Sequence, residues 1–191
     1  MKHLFFIFLL ASSTLSFSQH EFQIETNLGL LFQKEIELNN EKLESTGKLG
    51  MRIGINYLRT LNESLYLETG SFLKYTSGTY QLETVTFKYA TIRFQVPLFI
   101  GYRINDLCKL SIGASIENNK DFEDIAFVLE ENLRYDFVTK IVYTYSTLLD
   151  FSLYANSMVS KTQAINTLTS PKNGIYLGVI FKLPSKIIKE E

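Results

Sequence analysis

The sequence predicts an all-β chain: an eight-stranded antiparallel up-and-down transmembrane β-barrel after an N-terminal signal peptide. Three observations predict it. Between Phe22 and Leu183 about eight stretches alternate apolar and polar residues, the period of strands with one face toward oil and one toward water. The gaps between them are alternately short and long, as in a closed barrel with tight turns at one end and longer loops at the other. Before them, Lys2-His3 is basic, Leu4 to Leu10 is an apolar run, and Ser16-Phe17-Ser18 offers the small residues of a cleavage site. The expected division is residues 1–18 as signal peptide and 19–191 as outer-membrane barrel domain. Ser12-Ser13-Thr14 interrupts the apolar run, leaving it short of the roughly 20 residues that a spanning helix needs.

The first strand places Phe22, Ile24, Thr26, Leu28, Leu30 and Phe32 on one face, with Gln23, Glu25, Asn27, Gly29 and Gln33 opposite. The second sets Met51, Ile53, Ile55 and Tyr57 against Arg52, Gly54 and Asn56, after a polar gap from Asn39 to Thr46. A short gap, Thr60 to Ser64, leads to the third, with Leu65, Leu67, Leu73 and Tyr75 on one face and Tyr66, Glu68, Phe72 and Lys74 on the other. After Ser77 to Glu83, the fourth is the clearest: Ile92, Phe94, Val96, Leu98, Ile100 and Tyr102 against Arg93, Gln95, Gly101 and Arg103. Pro97 within it removes a ladder donor and predicts a bulge or bend.

A turn at Asn105-Asp106-Leu107 precedes the fifth strand, Leu110, Ile112, Ala114 and Ile116 against Lys109, Ser111, Gly113, Ser115 and Glu117. Cys108 beside that turn reads as a turn residue or small apolar filler. The longest gap, Asn118 to Asn132, holds the apolar patch Ile125 to Leu129, a short helix or a strand extension, between acidic residues. The sixth strand carries Leu133, Tyr135, Phe137, Ile141, Tyr143 and Tyr145 outward, with Arg134, Asp136, Lys140 and Thr144 behind them. The turn at Ser146 to Leu148 lacks Gly and Pro and so has a weak local signal. The seventh strand sets Phe151, Leu153, Ala155 and Val159 against Asp150, Ser152, Tyr154 and Asn156. After Lys161 to Asn173, the eighth sets Ile175, Leu177, Val179, Phe181 and Leu183 against Tyr176, Gly178 and Lys182. An even strand count puts both chain ends at the short-turn, periplasmic side. The expected external loops are Asn39 to Thr46, Ser77 to Glu83, Asn118 to Asn132 and Lys161 to Asn173.

Alternation alone does not say which face points inward, and a soluble lipocalin-like ligand-binding barrel is the structural competitor. A lumen of about eight strands is just wide enough to be filled by side chains, so the bulky apolar set belongs outside and the Gly-containing charged set inside. Tyr57, Tyr75, Tyr102, Tyr135 and Tyr145 near strand ends suit aromatic girdles. The candidate site is therefore a lumen charge network of Glu25, Arg52, Glu68, Arg93, Arg103, Lys109, Glu117, Arg134, Asp136, Lys140, Asp150 and Lys182, paired because unpaired charge in a low-dielectric interior is expensive.

A formal net charge of -1 argues against nucleic acid as a partner. The chain has two histidines, His3 in the expected signal and His20 at the expected mature N-terminus, so a Ser-His-acid arrangement or a histidine metal site inside the barrel is not expected. Asp136 and Asp150 could form an acid pair, but carboxylates facing Arg and Lys read as structural. No cofactor, metal site or enzymatic role is expected. The expected partners are outer-membrane lipid, the periplasmic chaperones and barrel-insertion machinery, and an external partner at residues 118–132 and 161–173. The roles left open are a structural or surface-interaction barrel, a narrow porin-like channel for small solutes, and the lipocalin-like barrel.

Ile92-Arg93-Phe94-Gln95-Val96-Pro97-Leu98-Phe99-Ile100-Gly101-Tyr102 resembles the strand of PorT-like outer-membrane β-barrel proteins with an apolar-Pro-Leu centre and a closing Tyr. Tyr135-Asp136-Phe137 resembles that family's sixth-strand opening, with Val138 where a Gly is usual. Gly174 to Leu183 is similar to its final strand, although this chain continues past it. The resemblance implies an integral outer-membrane barrel and brings no catalytic residues.

Overall fold

The computed structural model describes residues 20–32, 36–38, 41–82, 85–120, 133–159 and 173–183. The expected signal peptide and most of the last two expected loops lie outside the described residues. Among the described residues there are nine strands: β1 (His20–Phe32), β2 (Ile36–Leu38), β3 (Glu41–Thr60), β4 (Leu65–Leu82), β5 (Val85–Arg103), β6 (Cys108–Lys120), β7 (Leu133–Thr144), β8 (Leu149–Met158) and β9 (Asn173–Lys182). Leaving aside the three-residue β2, each pairs antiparallel with its neighbours, and β1 pairs with both β3 and β9. The sheet is thus a closed eight-stranded barrel without an edge at mid-height.

The three short turns are built alike. Asn62 Oδ1 accepts from the amides of Ser64 and Leu65 at 3.0 and 2.7 Å, and Asn105 Oδ1 from those of Leu107 and Cys108 at 2.9 and 2.8 Å. Ser146 Oγ does the same for Leu148 and Leu149 at 3.3 and 3.0 Å. A side-chain oxygen that captures the next free amides closes the turn without Gly or Pro. At this end the Leu183 amide donates to the Phe22 carbonyl at 2.9 Å, so both described chain ends sit at the short-turn mouth.

Two expected loops are corrected. Glu41 to Thr46 belongs to β3, and Ser77 to Leu82 belongs to β4, which pairs with β5 as far as Leu82↔Val85. Asn118 to Lys120 likewise continues β6, and Asn173 opens β9. The alternation signal exists only where one face is apolar. Past that level the apolar residues no longer keep one parity, Val85, Phe87 and Tyr89 standing at odd positions and Ile92 to Tyr102 at even ones, yet Thr, Ser and Tyr still pair well across strands. Among the described residues, β3, β4 and β5 therefore run past the other strands as a blade.

Pro97 makes no bulge. The β4–β5 register is the same on both sides of it, with pairing interrupted between Thr69↔Leu98 and Phe72↔Gln95. The Thr69 hydroxyl donates to the Pro97 carbonyl at 2.8 Å across this gap. The register shift of the sheet falls instead between Thr46 and Leu49 of β3.

Candidate functional site: the charged lumen

Strand alternation turns every second residue inward, and the inward set carries the charge. Glu25, Arg52, Glu117 and Asp150 are 0 % exposed, and Glu68, Arg93, Arg134, Asp136 and Lys140 are no more than 3 % exposed. Meanwhile Leu98, Ile100 and Leu177 on the other face are 60, 61 and 71 % exposed. The distribution is the reverse of a soluble protein's, where Lys, Glu, Arg and Asp are almost never fully buried unless paired.

The charges form three groups. Nearer the short-turn end, Lys140 Nζ lies 3.0 Å from Glu25 Oε2 and also bonds Glu68, while Arg52 Nη1 is 3.8 Å from Glu25 Oε1. Toward the blade, Lys74 Nζ is 2.7 Å and Arg93 Nη1 3.8 Å from Glu117, and Arg134 Nε is 2.6 Å from Asp136 Oδ1. At the short-turn mouth, Asp150 sits between Lys182 at 2.6 Å and Lys109 at 3.9 Å. Arg103 is half-buried opposite Lys109, and none of the ion pairs among the described residues includes it. Asp136 and Asp150 belong to different groups, so no acid pair forms between them.

Neutral side chains join the first group to the second. Arg52 Nη1 donates to Asn27 Oδ1 at 3.2 Å and Arg52 Nε to Gln95 Oε1 at 2.7 Å; Gln95 Nε2 donates to Glu117 Oε1 at 2.9 Å and to the Tyr154 hydroxyl at 3.0 Å. Asn27, Asn56 and Ser152 all donate to Glu25. Multiple donors around a buried carboxylate replace the water it has lost. One hydrogen-bonded path thus runs from Glu68 through Lys140, Glu25, Asn27, Arg52, Gln95 and Glu117 to Lys74.

Aromatic rings fill what the charges leave. The Arg52 guanidinium carbon lies 3.6 Å from the Phe72 ring centre and 4.0 Å from that of Tyr154, a cation held between two faces. Tyr154 meets Phe99 and Tyr176 edge-on, at 6.3 and 5.6 Å between centroids. The expectation that bulk would stay outside therefore needs amendment, because Tyr66, Phe72, Phe99, Tyr154 and Tyr176 are all buried in the lumen. Glycine makes the room: a Cβ at Gly101 would overlap the Tyr66 ring, and one at Gly50 would lie 2.8 Å from Tyr176 Cε1. Gly101→Ala is expected to destabilise the barrel by about 1–3 kcal/mol, as overpacking does, and Gly101→Ala with Tyr66→Leu to lose less than the two single changes summed. A urea-unfolding cycle on the four proteins checks both; additive losses would mean that the ring moves aside freely.

Lys74 was missing from the expected network although its inward parity was plain, because the third strand carries large residues on both faces. Gln95, Asn27 and Asn56 were equally inward by parity, but only the closed barrel shows which carboxylate each one meets. His20, expected at the mature N-terminus, opens β1 at the mouth, where its Nδ1 bonds the Tyr57 hydroxyl and its ring stacks on Tyr57.

No protein-family model matches the chain, and no curated protein matches it. Solved structures similar to it include the outer membrane enzyme PagL (10 % identity, 85 % of this chain and 99 % of that one, TM-score 0.49). The Yersinia pestis outer membrane protein Ail is another (12 %, 86 and 100 %, 0.48), as is a de novo designed transmembrane β-barrel (11 %, 85 and 95 %, 0.48).

Proposed function

We propose that this chain is a small integral outer-membrane β-barrel, PorT-like in sequence pattern, whose lumen is closed by its own side chains and whose role is structural or one of surface interaction. One observation carries the reading: the wall is inside-out, with buried ion pairs within and a belt of Leu, Ile, Phe and Tyr without. In water such a belt would be an aggregation surface far larger than the patches that soluble monomers expose. In lipid it is the required surface, and closure leaves no backbone group unpaired at an edge.

The belt also has a membrane's height. Ten residues separate Ile92 from Tyr102 on β5; at about 3.3 Å per residue and a tilt of about 40° they span roughly 25 Å, the apolar band of an outer-membrane barrel. Tyr102, Tyr143 and Tyr145 stand exposed at its short-turn margin, Tyr75 and Tyr135 toward the other. The ion pairs and the Phe72–Arg52–Tyr154 stack lie across the lumen, which supports a closed barrel over a solute channel. It also supports a closed barrel over a ligand-binding cup, which would need an open apolar interior.

The test is fractionation with a heat-shift gel. The protein is expected to stay with the membrane pellet through a carbonate wash and to run faster unheated than boiled. Recovery in the wash, with one mobility under both conditions, would refute the reading.

A further inference from the structure

Arg59 breaks the rule of the wall. In the half of the barrel nearer the short turns, every other charged strand residue among those described has inward parity, as Glu25, Glu68, Lys109, Lys140, Asp150 and Lys182 do. Arg59 instead shares its parity with the exposed Met51, Ile53 and Ile55, and with Tyr57, while Leu58 before it is buried in the lumen. Its cross-strand neighbours are His20 on β1 and Leu67 on β4, so no carboxylate faces it across either strand. Glu63, in the turn that follows, is exposed and enters none of the ion pairs among the described residues.

Depth accounts for the exception. Arg59 is two residues nearer the turn than Tyr57, about 5 Å lower at about 3.3 Å per residue and a tilt of about 40°. That is headgroup depth, where the penalty on an outward Arg falls away. Aromatic rings flank it in the register. The His20 ring stacks on Tyr57 at 5.6 Å between centroids, with its Nδ1 bonded to the Tyr57 hydroxyl, and Phe22 lies 5.2 Å from the same Tyr57 ring.

We propose that Arg59, flanked by His20 and Tyr57, holds the phosphodiester of one anionic phospholipid in the leaflet at the short-turn end. A guanidinium offers two parallel N–H groups to two phosphate oxygens, and its five donors allow this beside any other bond that it makes. Tyr57 and Phe22 give the glycerol and the first methylenes an amphipathic aromatic surface. Charge selects the lipid class. A phosphatidylcholine headgroup brings its own ammonium to the phosphate, whereas phosphatidylglycerol brings none. With no carboxylate opposite Arg59 on either strand, the site favours the lipid that supplies net negative charge.

The inference rests on the membrane reading, which sets lipid beside this wall. Native mass spectrometry of the full chain in neutral detergent tests it, with phosphatidylglycerol and phosphatidylcholine added in equal amounts. The folded barrel is expected to keep phosphatidylglycerol in preference, and Arg59→Gln to lower that bound fraction about fivefold. Arg59→Lys should keep part of it. Lys88→Gln, which removes the same charge from the exposed blade, should keep all of it. Equal retention of the two lipids by the parent would overturn the proposal. So would an Arg59→Gln protein that binds as the parent does, as when another segment of the chain holds the guanidinium. Displacement of the lipid by glycerol phosphate at the lipid's own concentration would also overturn it, since the site would then take a free phosphate ester. A heat-shift gel on the same samples keeps the two readings apart. Loss of the shift in every protein refutes the membrane barrel, whereas a normal shift without lipid preference refutes the lipid site alone.

Discussion

Lys140→Gln is expected to destabilise the folded barrel by about 3–5 kcal/mol, the loss that follows removal of one partner from a buried ion pair. Lys140 is the only cation bonded to both Glu25 and Glu68 among the described residues, and those carboxylates are 0 and 2 % exposed. With glutamine there, two negative charges face one another across the lumen with Arg52 as the nearest described counter-charge, 3.8 Å from Glu25. Neither carboxylate can turn to water without opening the barrel. Urea unfolding in lipid vesicles measures the effect. Adding Glu68→Gln to Lys140→Gln is expected to recover part of the loss, because one of the two stranded charges is then gone. A single variant as stable as the parent, or a double variant less stable than the single, would show that this group is wetter than its geometry implies.

Leu98→Arg is the second large effect, about 2–4 kcal/mol against folding in a bilayer. Leu98 is 60 % exposed in the middle of the apolar belt of β5, and its strand neighbours Val96 and Ile100 share that face. For a protein in water, an exposed Leu changed to Arg would alter stability within about 0.5 kcal/mol. The same change at Tyr102, four residues nearer the short-turn margin, should fall to about 0–1 kcal/mol, since the penalty declines toward the interface. Reversible unfolding of both variants in vesicles reads this depth dependence. Equal, small effects at the two positions would place the belt in water.

How far the residues announce this structure varies along the chain. Along Ile92–Tyr102 of β5, Leu110–Ile116 of β6 and Ile175–Phe181 of β9 the outward apolar set holds every second position, and strand, face and direction follow at once. β4 was harder because Tyr66 and Phe72 face inward, and a bulky inward residue is legible only if the glycine beneath it is known to sit opposite, as Gly101 does under Tyr66. The turn at Ser146 was weak to a reader looking for Gly or Pro, although Ser146 occupies the place that Asn62 and Asn105 occupy in the other two. The upper halves of β3, β4 and β5 are not legible, because the apolar residues there do not keep the parity of the belt, as Val85, Phe87 and Tyr89 do not on β5.

The charged lumen divides in the same way. Parity along each strand is local, so the inward direction of Glu25, Arg52, Lys140 and their companions needed only the order of residues. Partnership is not local. Glu25 and Lys140 are 115 positions apart, and Lys74 and Glu117 are 43 apart. Arg103 has the right parity and still stands outside the ion pairs that are described. Closure of β1 on β9, and the register this imposes around the barrel, decide which charges meet. By itself the order of residues determined an inside-out wall, since each side chain's face is set by its own strand. The pairing within that wall was decided by the tertiary structure, since it depends on the register between strands far apart in sequence.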